Sequence, residues 1–523
     1  MSAEPSHPDD LAQQDSGWSG SDVIGYCPTR YGGAASRRGG VADRARAEPV
    51  SSPPQPESPS RRTDEIDADL YDRTAHEWTQ GTSDRAIQMR HRRMVGARPE
   101  QRTSLMTQVE SRLTSPESVG MSANRLKRIA PALQKYVDER GYPGFTTLVS
   151  RRGQLVHAGR IGWQDREGKV PLAEDTIYRL YSMTKPIICT ALMTLFEEGK
   201  FQLVDPVAKW IPAFGATKIA GPGGTLEDQS LLRPMQIRDV MSHTSGLTYD
   251  FLEDFPVAEQ YRAKQLMHDP TRTLEQLIDE LAAIPLAFAP GTMWHYSLGT
   301  DVTARLIEVI SGQKLGDFLQ ERLFGPLGMT DTAFGVPESA RGRISAMYGL
   351  PDLLAEDMTF STLAGAFAAG DVGRRDVEPT YPSDASDVFQ RGGVGLFGTG
   401  SDYMRFADML LTGKAEDGTR ILGRKTLELM HTNHLAPALL PYALAGVPAP
   451  GYGFGLGSRV AMDIGQSALA GSPGEFGWAG AAKTYFWVDP VEEIVGVLLT
   501  QHMIGFDLPE ADFRAVVYQS IED

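Results

Sequence analysis

Between residues 122 and 139 apolar positions recur every three or four residues, at Leu126, Ile129, Leu133 and Val137, and Ser122 stands where it can cap the first turn. That spacing predicts an amphipathic helix. The period then changes. Residues 145–151 and 154–162 read as two strands around Arg152-Gly153, a hairpin signal. A denser apolar run over 182–198, closed by Gly199, predicts a buried helix. From about 200 to 345 the pattern is helical with Pro and Gly punctuation. Strands return at 452–462, 481–488 and 494–501, the last two joined by a turn at Asp489-Pro490, and a final amphipathic helix covers 509–521. Strands near both ends with helices between them predict an α/β (α+β) protein: one sheet built from the two ends, with an inserted helical lobe.

The first hundred residues are patterned differently. Residues 1–104 hold fourteen Arg, no Lys and sixteen acidic residues, with Gly-Gly pairs at 32–33 and 39–40 and a Ser/Pro cluster at 51–60. Such a segment buries too little apolar surface to offset chain entropy. It is expected to be a disordered tail, or weakly helical over 65–93, leaving 105–523 as the folded domain.

Composition narrows the classes of function. The chain has 523 residues, 41% of them apolar, which is enough for a sizeable core. A net charge of −16 argues against a nucleic-acid surface, because phosphate contacts need clustered Lys and Arg. No apolar run approaches the length of a membrane-spanning helix. Two cysteines, Cys27 and Cys189, make neither a disulfide framework nor a cysteine-rich zinc site. The first residues lack the basic and apolar regions of a secretory signal, so a cytoplasmic protein is expected.

Chemistry concentrates in three places. In Tyr181-Ser182-Met183-Thr184-Lys185-Pro186, Ser182 and Lys185 are three apart, and Pro186 places them at a helix start. An alkoxide on Ser182 would lie beside unpaired N–H groups at the positive end of the helix dipole, with a Lys one turn on to hold charge or move a proton. Tyr296 follows Pro290-Gly-Thr292 in a loop ahead of a helix starting near Gly299. Gly477-Trp478-Ala479-Gly480-Ala481 leads directly into a predicted strand, with small residues that would admit a substrate to the backbone. The N–H groups of Ser182 and Ala481 then make an oxyanion hole.

The ordered motifs Ser182-Met-Thr-Lys185, Tyr296-Ser-Leu298 and Trp478-Ala-Gly480 resemble those of serine hydrolases of the class C β-lactamase and penicillin-binding-protein superfamily, closest in style to the family VIII carboxylesterases. The resemblance covers about 114–523 and extends to His243-Thr-Ser-Gly-Leu247, Pro290-Gly-Thr292 and the glycine-rich 391–400 running into Asp402-Tyr403. It implies a β-lactamase-like antiparallel sheet flanked by helices, with the helical lobe at about 200–345. It also implies Ser182 as nucleophile, Tyr296 as general base, Lys185 as the cation that lowers the Tyr296 pKa, and substrate contacts at Trp478 and Gly480, with no metal or cofactor. A phenol with an ordinary pKa near 10 needs such a neighbouring ammonium to act as a base.

Two departures bear on substrate. Leu298 stands where β-lactamases carry an Asn that contacts the substrate amide, and Trp478 where they carry a Lys that holds a carboxylate. Apolar anchors in both places imply a small-molecule ester of an uncharged acyl group. An acyltransferase, a β-lactamase or D-amino-acid peptidase, and a non-catalytic relative of the fold are the competing readings. Five other features carry less. Gly393-Val-Gly395-Leu-Phe-Gly398 has dinucleotide-loop spacing without the β-α-β context, and suits a packed loop feeding a helix capped near Ser401. His431 and His434 lack a third metal ligand, and Cys189, two turns after Ser182, belongs in a core. His243 is expected to be structural. Tyr249, Phe251, Phe255 and Tyr261 suit an acyl pocket or plain packing equally.

Overall fold

The computed structural model describes residues 112–220, 226–227, 233–384 and 387–523. The expected tail, 1–104, and its helical piece at 65–93 lie outside the described residues. Eight strands make the main sheet: β1 (Gly144–Arg151), β2 (Gln154–Asp165), β3 (Val170–Pro171), β4 (Tyr452–Phe454), β5 (Arg459–Ala461), β6 (Phe476–Ala479), β7 (Tyr485–Asp489) and β8 (Ile494–Leu499). Their spatial order is β4-β5-β6-β7-β8-β1-β2-β3, every pair antiparallel. The two ends of the chain therefore meet at β8–β1, where Thr146 faces Leu499 and Arg151 faces Ile494. Arg152 (φ 54°) and Gly153 (φ 70°) both take left-handed conformations in the β1–β2 turn, as a two-residue hairpin requires.

Both faces of the sheet are covered, so β1, β7 and β8 are buried along their whole lengths. On one face Phe145, Val149, Tyr485, Trp487 and Leu498 pack against α1 (Ile129–Glu139) and a C-terminal helix, α5 (Pro509–Tyr518). On the other, Leu148, Phe486, Val497 and Leu499 join a large core shared with α2 (Thr184–Glu197), α3 (Gly299–Ser311) and α4 (Gly400–Thr412). The antiparallel sheet flanked by helices that the resemblance implies is the architecture observed. Among the described residues no helix is long and apolar enough to cross a membrane.

Several boundaries differ from the sequence reading. The helix predicted at 122–139 is two pieces, Ala123–Leu126 and α1. Pro131 has no N–H to give the Lys127 carbonyl, so the helix restarts there. Ser122 makes no side-chain cap; the Glu117 carboxylate takes the Ala123 N–H instead, at 3.0 Å. The strand predicted at 452–462 is the β4–β5 hairpin, reversed at Gly457 (φ 94°). The strand predicted from Ala481 begins only at Tyr485, because residues 480–484 close a tight turn in which the Gly480 N–H meets the Thr484 carbonyl at 2.8 Å. Thr399, two residues before Ser401, caps α4 by accepting from the Asp402 N–H at 3.2 Å. Helices also continue past 345, at Phe360–Ala368, α4 and Arg424–Met430.

Candidate active site

Ser182 lies in a single 3-10 turn, Tyr181–Met183, that feeds α2, rather than in the α-helix itself. Tyr181 is left-handed (φ 47°), a conformation costing a non-glycine residue about 1–3 kcal/mol unless its surroundings enforce it. Here the turn is held from several sides. The Leu180 N–H donates to the Leu396 carbonyl at 2.9 Å, and the Tyr181 ring packs 4.9 Å from that of Tyr381. The Thr484 hydroxyl donates to the Leu180 carbonyl at 3.1 Å, and the Tyr403 hydroxyl to the Met183 carbonyl at 3.0 Å.

This turn half-exposes Ser182 while burying Lys185 one turn below it. Lys185 Nζ donates to Ser182 Oγ at 3.1 Å and to the Gly393 carbonyl at 2.7 Å. The same ammonium lies 4.6 Å from the centre of the Tyr296 ring and 5.3 Å from that of Tyr249. Tyr296 comes from the loop before α3, and its ring is 4.8 Å from His243, 5.1 Å from Tyr249 and 5.7 Å from Trp478. The structure thus brings Ser182, Lys185, Tyr296 and Trp478 into one cluster.

The turn after β6 reaches the cluster from the sheet. A Cβ on Gly480 would fall 2.5 Å from the Leu180 carbonyl and 2.3 Å from Thr484 Oγ1. The absence of a side chain there lets this turn pack against the backbone before Ser182. The same packing sets Ala481 beside the Ser182 turn, and its carbonyl is held by the Ile504 N–H at 2.9 Å. Leu298 is corrected: it is fully buried beneath α3, its N–H on the Thr248 carbonyl at 3.2 Å, so it packs the core instead of facing substrate. Trp478 is left as the apolar departure that adjoins Tyr296.

The features set aside from sequence acquire definite places. His243 is fully buried, its Nδ1 3.2 Å from Ser297 Oγ. Desolvation, reinforced by the Lys185 charge, pushes its pKa well below the usual imidazole value and keeps it neutral. Burial pushes the Cys189 thiol up to about 12, as suits a core residue. His431 stacks on Phe476, and His434 Nε2 meets the Leu429 carbonyl at 2.8 Å. The Gly393–Gly398 loop supplies the carbonyl that holds Lys185. Of the aromatic segment, Tyr249 borders the cluster and stacks on Phe251 at 4.6 Å, while Tyr261 lies in the core.

One member was not foreseen. Asp301, in the first turn of α3 and five residues after Tyr296, is fully buried, and its Oδ1 accepts the Gly393 N–H at 3.1 Å. Its offset from Tyr296 in a predicted helix was the one sequence signal for it. A hydroxyl beside a buried amine, with a phenol over that amine, is an arrangement that can give up a proton and form a covalent ester.

The sequence model of the Beta-lactamase family matches residues 129–519. An uncharacterized protein of Mycobacterium tuberculosis (strain CDC 1551 / Oshkosh) is 33% identical over 367 residues, covering 69% of this chain and 86% of its own. Esterase EstB of Burkholderia gladioli is 30% identical over 410 residues, 72% of this chain and 91% of its own. Among solved structures, EstCE1, a hydrolase with promiscuous acyltransferase activity, superposes with a TM-score of 0.62 at 27% identity, over 77% of this chain and 99% of its own.

Proposed function

Because this chain belongs to the beta-lactamase family of serine hydrolases, we propose that it is a carboxylesterase working through an acyl-enzyme on Ser182. The observation that carries this reading is the contact of the buried Lys185 ammonium with Ser182 Oγ at 3.1 Å, under the ring of Tyr296. The likeness to an esterase over 72% of the chain supports the substrate class.

In the proposed reaction Ser182 Oγ attacks the ester carbonyl and its proton passes to the Tyr296–Lys185 pair. The phenol and the amine hold that proton between them. Charge developing on the carbonyl oxygen is met by the Ser182 and Ala481 N–H groups. The alcohol leaves with the proton, and water attacks the acyl-enzyme to release the acid. Each of these steps needs only hydrogen-bond donors and a proton carrier, which are the groups the cluster supplies.

Trp478 replaces a cationic anchor with an indole whose Nε1–H is buried without an acceptor among the described residues. That favours a neutral substrate oxygen over a carboxylate. Acyl transfer to an alcohol is the second reading, favoured by the likeness to EstCE1, since the same intermediate can be opened by either nucleophile. The deciding experiment compares p-nitrophenyl butyrate with a chromogenic cephalosporin, with and without an added alcohol. Faster ester hydrolysis, with Ser182→Ala inactive, is the expected result. A cephalosporin hydrolysed faster than the ester would overturn it.

A further inference from the structure

The Lys185 ammonium is almost fully buried, yet among the described residues no carboxylate touches it. A buried cation without a counter-charge is costly enough that something nearby must compensate it. Gly393 points to what does. Its carbonyl accepts from Lys185 Nζ at 2.7 Å, and its N–H donates to Asp301 Oδ1 at 3.1 Å. A Cβ on Gly393 would fall 2.6 Å from Asp301 Oδ2, 2.6 Å from the Tyr249 hydroxyl and 3.4 Å from Lys185 Nζ. Three polar groups from three separate elements therefore converge on a position where this loop has no side chain. Asp301 Oδ2 and the Tyr249 hydroxyl are both buried with no hydrogen-bond partner among the described residues. Two residues earlier in the same loop stands a second fully buried cation, Arg391, whose guanidinium donates to the Asp269 and Arg272 carbonyls at 3.1 and 2.7 Å.

We propose that Asp301 is a positioning residue that sets the protonation of the Lys185–Tyr296 pair. It acts across the backbone of Gly393, as the shared counter-charge of two buried cations, Lys185 and Arg391. Asp301 touches neither the reacting atoms nor the ammonium. It holds the peptide before Gly393 through that residue's N–H, while the peptide after Gly393 offers Lys185 its carbonyl, so Asp301 and the ammonium face each other across a single residue. The titratable groups facing it are Lys185 from α2, Tyr249 from the segment after the His243 motif, Tyr296 from its own loop, and Arg391 from the Gly393 loop. Desolvation raises the Asp301 pKa while the Lys185 and Arg391 charges oppose that rise, so the three groups are electrostatically linked. The inference rests on the assignment of Ser182 and Lys185 made above, but not on an ester being the substrate.

The test follows the rate at which a fluorophosphonate labels Ser182 as a function of pH, in the full-length protein and two variants. Asp301→Asn keeps an acceptor for the Gly393 N–H and removes the charge, so the proton of the Lys185–Tyr296 pair leaves more easily. The acid limb of the labelling profile should move down by about one pH unit, the order expected for a charge a few ångströms away. Arg391→Met removes the competing cation and should move the same limb up. Opposite shifts are not produced by a general loosening of the fold. If Asp301→Asn does not fold, the Arg391→Met arm still decides. Profiles that superpose on the wild type overturn the proposal. A wild type that labels normally but hydrolyses no ester would overturn the esterase reading and leave this one standing.

Discussion

The Thr484 hydroxyl donates to the Leu180 carbonyl at 3.1 Å, tying the turn after β6 to the turn that presents Ser182. The residues are 304 positions apart. Through this bond the turn that carries Ala481 is held against the turn that carries Ser182, although they lie far apart in the chain.

Thr484→Val removes that bond at nearly constant volume; the Leu180 carbonyl keeps the Met183 N–H at 3.1 Å, so the loss is about 0.5–1.5 kcal/mol. If the Ser182 and Ala481 N–H groups act together, kcat should fall by roughly tenfold or more while KM changes little. Steady-state kinetics beside a melting curve separates the two effects, and an unchanged kcat would argue against a joint role.

Tyr296→Phe should keep the fold, since the ring packs among His243, Tyr249 and Trp478 without needing its hydroxyl. Turnover should drop by about 10²–10⁴-fold, the usual worth of a positioned base. Activity within twofold of wild type would remove Tyr296 from the mechanism.

Gly480→Ala places a methyl 2.5 Å from the Leu180 carbonyl, where backbone must move. The expected cost is about 1–3 kcal/mol, the usual range for overpacking, accompanied by lost activity. A variant with unchanged melting temperature but weaker substrate binding would instead point to the substrate contact that the resemblance implies for Gly480.

Stability should also depend on pH through Asp402, buried beneath the Asp331 N–H and the Thr332 hydroxyl. Burial pushes its carboxyl from 3.8 up to about 6. The native state then holds this proton more tightly than the unfolded chain does, so the contribution is favourable below about 4 and is lost as pH rises through 6. Asp402→Asn should flatten that part of the melting-temperature profile and raise the melting temperature at pH 7.5 relative to wild type. A parallel profile in the variant would contradict this.

How much of this was legible beforehand follows from where each residue's partners lie in the chain. Ser182 and Lys185 are joined by local helical geometry, and the order of the three motifs carried the fold. The central hairpin was legible because Arg152-Gly153 is a local turn signal. What escaped depends on distant contacts. Asp301 meets Gly393 across 92 positions, and Lys185 meets it across 208. No periodicity encodes such a convergence, and the glycines at 393–398 matched a motif with another meaning. Leu298 misled for a related reason: its place in the motif suggested substrate contact, while the packing of α3 on α2 draws it into the core.

The most direct test of the account is intact-mass analysis of the protein mixed with p-nitrophenyl butyrate and quenched in acid within milliseconds. The account predicts a butyryl adduct that maps to Ser182, forms with a burst of nitrophenol and is absent from Ser182→Ala. Ester turnover by Ser182→Ala at the wild-type rate, or an adduct on another residue, would contradict it.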